Sequence, residues 1–128
     1  YVQNGYVYLY FTVPDKNFNR VIRVSSNGDS ALPGSEKTII DLDSLSGNIH
    51  NGGAMVFDDH GYLFIATGEG GKSSDAQNLN SLNGKILRLD PNGIIPSDNP
   101  FYNELPGNNK AIYAYGLRNP FCRRILHQ

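Results

Sequence analysis

The sequence has a single cysteine, little net charge and no long apolar run, and each of these shortages excludes a class of protein. Because Cys122 is the only cysteine, neither an intramolecular disulfide framework nor a cysteine-based zinc cluster is possible. A net charge of −1 removes the uniformly basic surface expected of a protein that binds nucleic acid or anionic membranes. No apolar run approaches the ~20 residues of a membrane-spanning helix. We therefore expect neither a nucleic-acid partner nor a membrane span.

Residues that break helices are abundant, with 14 Gly, 7 Pro and 15 Asn among the 128 residues. No segment shows a convincing apolar period of 3.6 residues, so a helical bundle is excluded. The 8 Tyr and 6 Phe argue against a disordered chain. The composition therefore favours a folded, all-β protein rich in turns.

A two-strand unit occurs twice along the chain. Residues 5–11 and 61–67 each predict a strand that begins at a Gly-Tyr pair and is rich in aromatic and β-branched residues. A second strand follows each of them, at residues 21–24 and 86–89, and ends at an Asn-Gly pair. The second copy has nine more residues between its two strands than the first copy has.

Repeats made only of short strands and turns predict a β-propeller. Residues 38–42 and 54–57 supply further strands, and residues 111–115 are expected to open a third unit. A propeller ring needs at least four blades to close, so this chain is expected to cover roughly two to three blades of a longer protein. A β-sandwich with two accidentally similar hairpins remains the alternative.

The enlarged loop of the second unit, residues 68–83, is the first candidate for a binding site, because insertions in repeat proteins usually lie on the binding face. The turn Gly68-Glu69-Gly70-Gly71 permits positive φ and the close approach of a ligand. The loop has neither GxGxxG spacing nor a GK[ST] ending, and no helix is predicted after it, so a nucleotide site is not expected.

Two further segments carry side chains suited to catalysis or binding. His50 stands beside Asn51-Gly52-Gly53, where a substrate could reach its ring, and imidazole can accept a proton at neutral pH. Arg118 offers a rigid fork of donors for carboxylates or for carbonyl oxygens that gain negative charge, and Asn119 adds a neutral donor and acceptor. Taken singly, each also fits an ordinary exposed residue. The spacing of the three histidines does not favour a metal site.

Taken together, the segments resemble the glucose/sorbosone dehydrogenase family, the soluble quinoproteins that include aldose sugar dehydrogenases. The resemblance covers about residues 5–121, and its main motifs are His50-Asn51-Gly52-Gly53, Thr67-Gly68-Glu69-Gly70-Gly71, Gly84-Lys85-Ile86-Leu87-Arg88 and Tyr115-Gly116-Leu117-Arg118-Asn119-Pro120. Residues 1–121 are therefore assigned to a partial β-propeller domain. Residues 122–128 depart from the family pattern and are assigned to an atypical tail.

The resemblance implies a six-bladed propeller that binds pyrroloquinoline quinone, uses calcium and passes electrons to a further acceptor. It implies oxidation of the C1 hydroxyl of aldoses to lactones, in the periplasm or outside the cell. The calcium ligands are expected further along the chain than Gln128. The isolated 128 residues are expected to be inactive.

The resemblance also implies a role for four residues. His50 matches the catalytic base, and Glu69 stands where the family usually has Asp, as the carboxylate that orients that histidine. The longer side chain of Glu69 is expected to affect the position of the histidine and hence the rate. Arg118 and Asn119 match residues that hydrogen-bond the quinone oxygens. A non-catalytic propeller that binds protein or glycan, and a hydrolase of the lactonase type, remain alternatives at this point.

Overall fold

Two antiparallel β-sheets make up residues 5–121, the part of the chain that the computed structural model describes. The strands are β1 (Tyr6–Thr12), β2 (Phe18–Ser25), β3 (Lys37–Ser44), β4 (Gly52–Phe57), β5 (Leu63–Thr67), β6 (Lys85–Leu89) and β7 (Ile112–Tyr115). The first sheet has the order β1-β2-β3 and the second has the order β4-β5-β6-β7. Because every strand pairs with the next one along the chain, each sheet is a meander, as in a propeller blade. In a β-sandwich, by contrast, Greek-key connections cross between the sheets.

The alternation of side chains along β1 explains how the two sheets meet. Tyr8 and Tyr10 point to one face, where the ring of Tyr8 packs edge-on against Phe57 of β4 with ring centroids 5.1 Å apart. Val7, Leu9 and Phe11 point to the opposite face and are 37%, 44% and 37% exposed. An apolar sheet face needs a cover, so the exposed face is the one on which a neighbouring blade of a ring would pack.

The core lies between the two sheets. Its fully buried members include Val21 of β2, Ile65 of β5, Leu87 of β6 and Ile112 of β7, each 0% exposed. Burial of one such aliphatic side chain is worth about 1.5–3 kcal/mol. The first sheet is therefore held firmly against the second, and a loop of one sheet can be positioned by side chains of the other.

The repeated strand pairs are present, but the predicted third unit is wrong. The pairs β1–β2 and β5–β6 correspond to the two predicted copies. However, β7 pairs with β6, with Ile86 opposite Ala114, and so completes the second sheet. The long connection after β6 includes a 3₁₀ helix, Gly107–Ala111, which leads the chain into β7 alongside β6. Strand alternation alone does not say which sheet edge a strand joins.

A short helix, α1 (Ser73–Gln77), lies within the enlarged loop and was not expected from the sequence. With 5 residues it is too short to show a helical apolar period. Among residues 5–121 no helix has the length and apolar character needed to cross a membrane. The predicted tail, residues 122–128, lies outside the described residues.

Candidate active site

The segment of residues 50–53 and the segment of residues 67–71 pass against each other, and this contact sets the position of His50. A β-carbon at position 68 would overlap the carbonyl oxygen of His50, and one at position 52 would lie 2.5 Å from the backbone nitrogen of Gly68. Only glycine therefore fits at either position. The backbone nitrogen of Gly70 donates to the carbonyl oxygen of His50 at 3.1 Å, which ties the two segments together.

His50 has an unusual backbone conformation, with φ at 56°. This left-handed region is uncommon for residues other than glycine, and it persists where the surrounding structure imposes it. At His50 the surrounding structure is the Gly68–Gly70 backbone. The strained turn directs the imidazole toward Glu69 rather than out along the strand.

Glu69 forms a close pair with His50, in which Nδ1 of the imidazole contacts Oε1 of the carboxylate. The Glu69 side chain is 4% exposed and that of His50 is 20% exposed. The backbone nitrogen of Gly71 donates to the same carboxylate oxygen at 3.3 Å. An ionised carboxylate only accepts hydrogen bonds, so a neutral imidazole paired with it carries its proton on Nδ1 and leaves Nε2 as the acceptor.

A cleft of about 500 Å³ brings three of the four predicted site residues together. Its lining residues are Ile49, His50, Glu69, Gly71, Ser73, Ala76, Gln77, Gly116 and Arg118. His50 precedes β4, Glu69 follows β5 and Arg118 follows β7, so three strand ends of one sheet meet here. The backbone nitrogen of Glu69 donates to the carbonyl oxygen of Arg118 at 2.8 Å, which joins two of these ends directly.

Asn119, the fourth predicted residue, is not among the lining residues of this cleft. Its side-chain oxygen Oδ1 accepts a hydrogen bond from the backbone nitrogen of Gly52 at 3.0 Å. Asn119 therefore connects the segment after β7 to the segment that carries His50.

Helix α1 contributes Ser73 and Gln77 to the cleft, and neither was singled out as a site residue from the sequence. The two residues are one helical turn apart and thus share a face. A β-carbon at Gly116 would lie 2.8 Å from Nε2 of Gln77, so glycine there makes room for this side chain. Two signals in the sequence mark this region: the loop is an insertion, and residues 76–82 are among the segments that resemble the family.

Lys85, the first residue of β6, is completely buried, and its side chain contacts the backbone of α1. Its Nζ donates to the carbonyl oxygens of Asp75 at 2.6 Å, Ala76 at 3.2 Å and Asn83 at 2.6 Å. Burial lowers the pKa of Lys85 to about 8, although the carboxylates of Asp75 and Asp43 act in the opposite direction. Lys85 thus joins α1, which carries Ser73 and Gln77, to Asn83 at the end of the loop.

A model of the glucose/sorbosone dehydrogenase family matches residues 1–128. The chain belongs to the glucose/sorbosone dehydrogenase family. The predicted family resemblance and the predicted β-propeller fold are thereby confirmed, and the two sheets are part of such a propeller. Within this family fold, the cleft lies at one end of the second sheet.

The relatives that the chain matches include sugar dehydrogenases. The chain is 49% identical over 79 residues to the aldose sugar dehydrogenase YliI of Escherichia coli, covering 62% of this chain and 21% of the relative. The soluble aldose sugar dehydrogenase of E. coli in its apo-form superimposes with a TM-score of 0.79 at 36% identity, covering 92% of this chain and 35% of the other. The PQQ-bound aldose sugar dehydrogenase of Streptomyces coelicolor gives 0.75 at 34% identity, with 93% and 34% covered. The chain thus spans about a third of the length of these solved structures.

Proposed function

We propose that the full-length protein oxidises the C1 hydroxyl of aldose sugars to the lactone, with pyrroloquinoline quinone as cofactor and His50 as general base. The observation that carries this proposal is the meeting of His50, Glu69 and Arg118 at one cleft. A base takes the proton, a carboxylate orients that base, and a cation stabilises negative charge on a hydride acceptor, so the three groups suit the removal of a proton together with a hydride. The family relationship supports the same chemistry.

His50 accepts the proton of the C1 hydroxyl at Nε2. Its Nδ1 is engaged with Glu69, so Nε2 is the nitrogen available as an acceptor. The side chain is 20% exposed, which leaves the ring accessible from the cleft. As the proton leaves oxygen, the C1–H bond breaks with both electrons, and C1 becomes the carbonyl carbon of the lactone.

Glu69 orients His50 and stabilises the imidazolium that forms. Its side chain is 4% exposed, so the carboxylate acts in surroundings from which water is largely excluded. The contact with Nδ1 shows that the longer side chain of Glu69 still reaches the histidine in this backbone. We propose that it replaces the aspartate that is usual in the family.

The residues of the cleft fit the cofactor. A volume of about 500 Å³ lies within the range of small-molecule sites, and the lining adds the polar side chains of Ser73 and Gln77 to the charged or titratable groups of His50, Glu69 and Arg118. When bound, pyrroloquinoline quinone supplies the hydride acceptor. Arg118 donates hydrogen bonds to carbonyl and carboxylate oxygens of such a group and stabilises negative charge there. The expected hydrogen bond from Asn119 to the quinone stays a prediction, since Asn119 does not line this cleft and its Oδ1 accepts from Gly52.

Calcium enters no step of this proposal. Within residues 5–121 no group of three or more His, Cys, Asp or Glu side chains is arranged to hold a metal ion. We keep the expectation that calcium ligands lie further along the full-length chain. A location in the periplasm or outside the cell, and a separate electron acceptor for the reduced cofactor, are further parts of the proposal.

The test is dye-linked oxidation by the full-length protein purified without cofactor. We expect dichlorophenolindophenol to be reduced in the presence of an aldose only after quinone and calcium are added, with the lactone identified by NMR. The His50→Gln variant should bind the quinone with unchanged affinity and lose turnover. If the wild-type protein binds the quinone but oxidises none of the common aldoses, the proposed reaction is wrong. If it binds no quinone, a non-catalytic binding module becomes the better interpretation.

A further inference from the structure

Tyr10 reaches from the first sheet to the segment that carries His50. Its hydroxyl donates to the carbonyl oxygen of Asn51 at 2.6 Å, across the interface between the two sheets. One edge of its ring lies beside Gly53, where a β-carbon would be 3.3 Å from Cδ1 of the tyrosine. Tyr10 therefore contacts the chain on the C-terminal side of His50, first through a hydrogen bond and then through its ring.

The hydroxyl of Tyr10 is itself held in place by buried groups of the first sheet. Nδ2 of Asn19, a residue only 1% exposed, donates to it at 3.1 Å. Oδ1 of Asn19 accepts from the hydroxyl of Thr12 at 2.7 Å, which fixes the orientation of the amide. Burial raises the pKa of Tyr10, so the hydroxyl keeps its proton and remains a donor.

Three successive residues, beginning with His50 itself, are each held by a different part of the chain. The carbonyl oxygen of His50 accepts from Gly70, that of Asn51 accepts from Tyr10, and the nitrogen of Gly52 donates to Asn119. A residue with φ at 56° keeps that conformation only while such contacts persist. Nδ2 of Asn19 also lies 3.5 Å from the carbonyl oxygen of Asn51 and 3.3 Å from its Oδ1. Loss of the Tyr10 hydroxyl therefore removes the shortest of the three contacts on Asn51, the residue directly beside His50.

We infer that Tyr10 is a positioning residue for His50, acting across the sheet interface through the carbonyl of Asn51. This inference rests on the proposed function, in which His50 is the base. Its consequence is that a residue of the first sheet controls the rate without touching the cleft, since small displacements of a catalytic group are costly. The effect falls on kcat rather than on KM, because Tyr10 does not line the cleft and its substitution removes no group from it.

The experiment compares Tyr10→Phe with Tyr8→Phe in the full-length protein. Tyr8 is two residues away on the same face of β1, and its hydroxyl also donates to a carbonyl of the second sheet, that of Pro91 at 2.8 Å. Both variants lose one hydroxyl and one hydrogen bond between the sheets. We expect Tyr10→Phe to lower kcat about tenfold with KM and the quinone Kd within about twofold, and Tyr8→Phe to leave kcat within about twofold.

A second measurement does not depend on turnover. In the cofactor-free protein, we expect the Nδ1 proton of His50 to give a downfield NMR resonance that Tyr10→Phe shifts upfield or broadens and Tyr8→Phe leaves in place. The inference is overturned if Tyr10→Phe keeps both the wild-type kcat and the wild-type resonance, or if both variants lower kcat equally. If the wild-type protein shows no dehydrogenase activity, the proposed function fails, while the resonance still tests the positioning.

A milder variant covers the case in which Tyr10→Phe does not fold. Thr12→Val removes the hydroxyl that orients Asn19 but keeps the shape of the side chain. We expect a two- to threefold decrease in kcat, roughly what the partial loss of one neutral hydrogen bond produces, with the resonance of His50 shifted in the same direction. A wild-type kcat and resonance in this variant, with Tyr10→Phe unfolded, would overturn the inference.

Discussion

The carbonyl oxygen of His50 lies against the backbone of Gly68, in the space that a β-carbon at position 68 would fill. This contact brings the segment before β4 to the segment after β5, and Glu69 is the next residue along the second segment. The pairing of the imidazole with the carboxylate therefore depends on a backbone contact that only glycine permits. The motif Thr67-Gly68-Glu69 thus combines a steric requirement and a chemical one in adjacent residues.

The first prediction is that Gly68→Ala strongly destabilises the protein. Its β-carbon would overlap backbone rather than a flexible side chain, so relief requires the two segments to separate. We expect the free energy of unfolding to decrease by about 3 kcal/mol or more, measured by denaturant unfolding of the full-length protein.

Gly47→Ala is the matched control for this substitution. Neither glycine has a positive φ, but a β-carbon at position 47 would meet its nearest neighbour, the Cα of Gly71, at 3.8 Å, an ordinary contact distance. We expect a change within about 0.5 kcal/mol. Equal destabilisation by the two substitutions would contradict the close approach of His50 to Gly68.

The sequence predicts the strands and the candidate site residues because both rest on local signals. Alternating aromatic and β-branched residues mark β1 and β5, and Asn-Gly pairs mark the turns that follow the second strand of each unit. The glycines beside His50 and Glu69 predict the close approach of a ligand, whereas in the structure Gly52 and Gly68 permit the close approach of two backbone segments. The motif resemblance adds the roles of these residues, and those roles stay predictions.

Features that depend on partners distant in sequence could not be predicted in this way. The sheet edge that β7 joins depends on the path of the preceding connection. The sequences of β6 and β7 do not indicate that Ala114 pairs with Ile86. Helix α1 has 5 residues and is stabilised in part by Lys85, which lies on the next strand. The hydrogen bond from Tyr10 to Asn51 joins residues 41 positions apart. In the sequence, the alternation of tyrosines along β1 predicts only that Tyr10 packs on one face of a strand.

A second prediction concerns the charge of Glu69. Glu69→Gln keeps the length of the side chain but removes the negative charge that stabilises the imidazolium of His50. We expect kcat to fall about 10²-fold or more, with KM within about threefold, in the dye-linked assay of the full-length protein. The control is Asp98→Asn, which removes a carboxylate paired with Arg88 and 69% exposed at its side chain. Equal kcat values for the two variants would argue against a catalytic pair of His50 and Glu69.

A third prediction concerns the cation of the cleft. Arg118→Gln removes the donors that would hold oxygens of the quinone, and Arg118→Lys keeps the charge but not the planar fork. We expect the Kd of the quinone to rise about 10- to 100-fold in the glutamine variant and less in the lysine variant, measured by equilibrium dialysis. Arg20→Gln is the control, because Arg20 pairs with Asp41 between β2 and β3. An unchanged Kd in Arg118→Gln would remove Arg118 from the proposed cofactor site.

The last prediction concerns the pH dependence of stability that Lys85 introduces. Its pKa is lowered from 10.5 to about 8 in the folded protein, because burial disfavours the ammonium ion. Between these two values the unfolded chain binds more protons than the folded protein does, so stability increases with pH in that window. Below pH 8 the side chain is protonated in both states, and its contribution no longer changes with pH.

Denaturant unfolding of the wild-type protein and of Lys85→Met between pH 7 and pH 10.5 measures this contribution. The difference in unfolding free energy, wild type minus variant, is expected to be level below about pH 8 and then to increase by roughly 3 kcal/mol toward pH 10.5. Lys72→Met, which removes an ammonium 56% exposed at its side chain in the same loop, reports any general effect of losing a lysine. A level difference for Lys85→Met across the whole range would mean that the folded protein does not disfavour this ammonium ion, which would contradict the lowered pKa of Lys85.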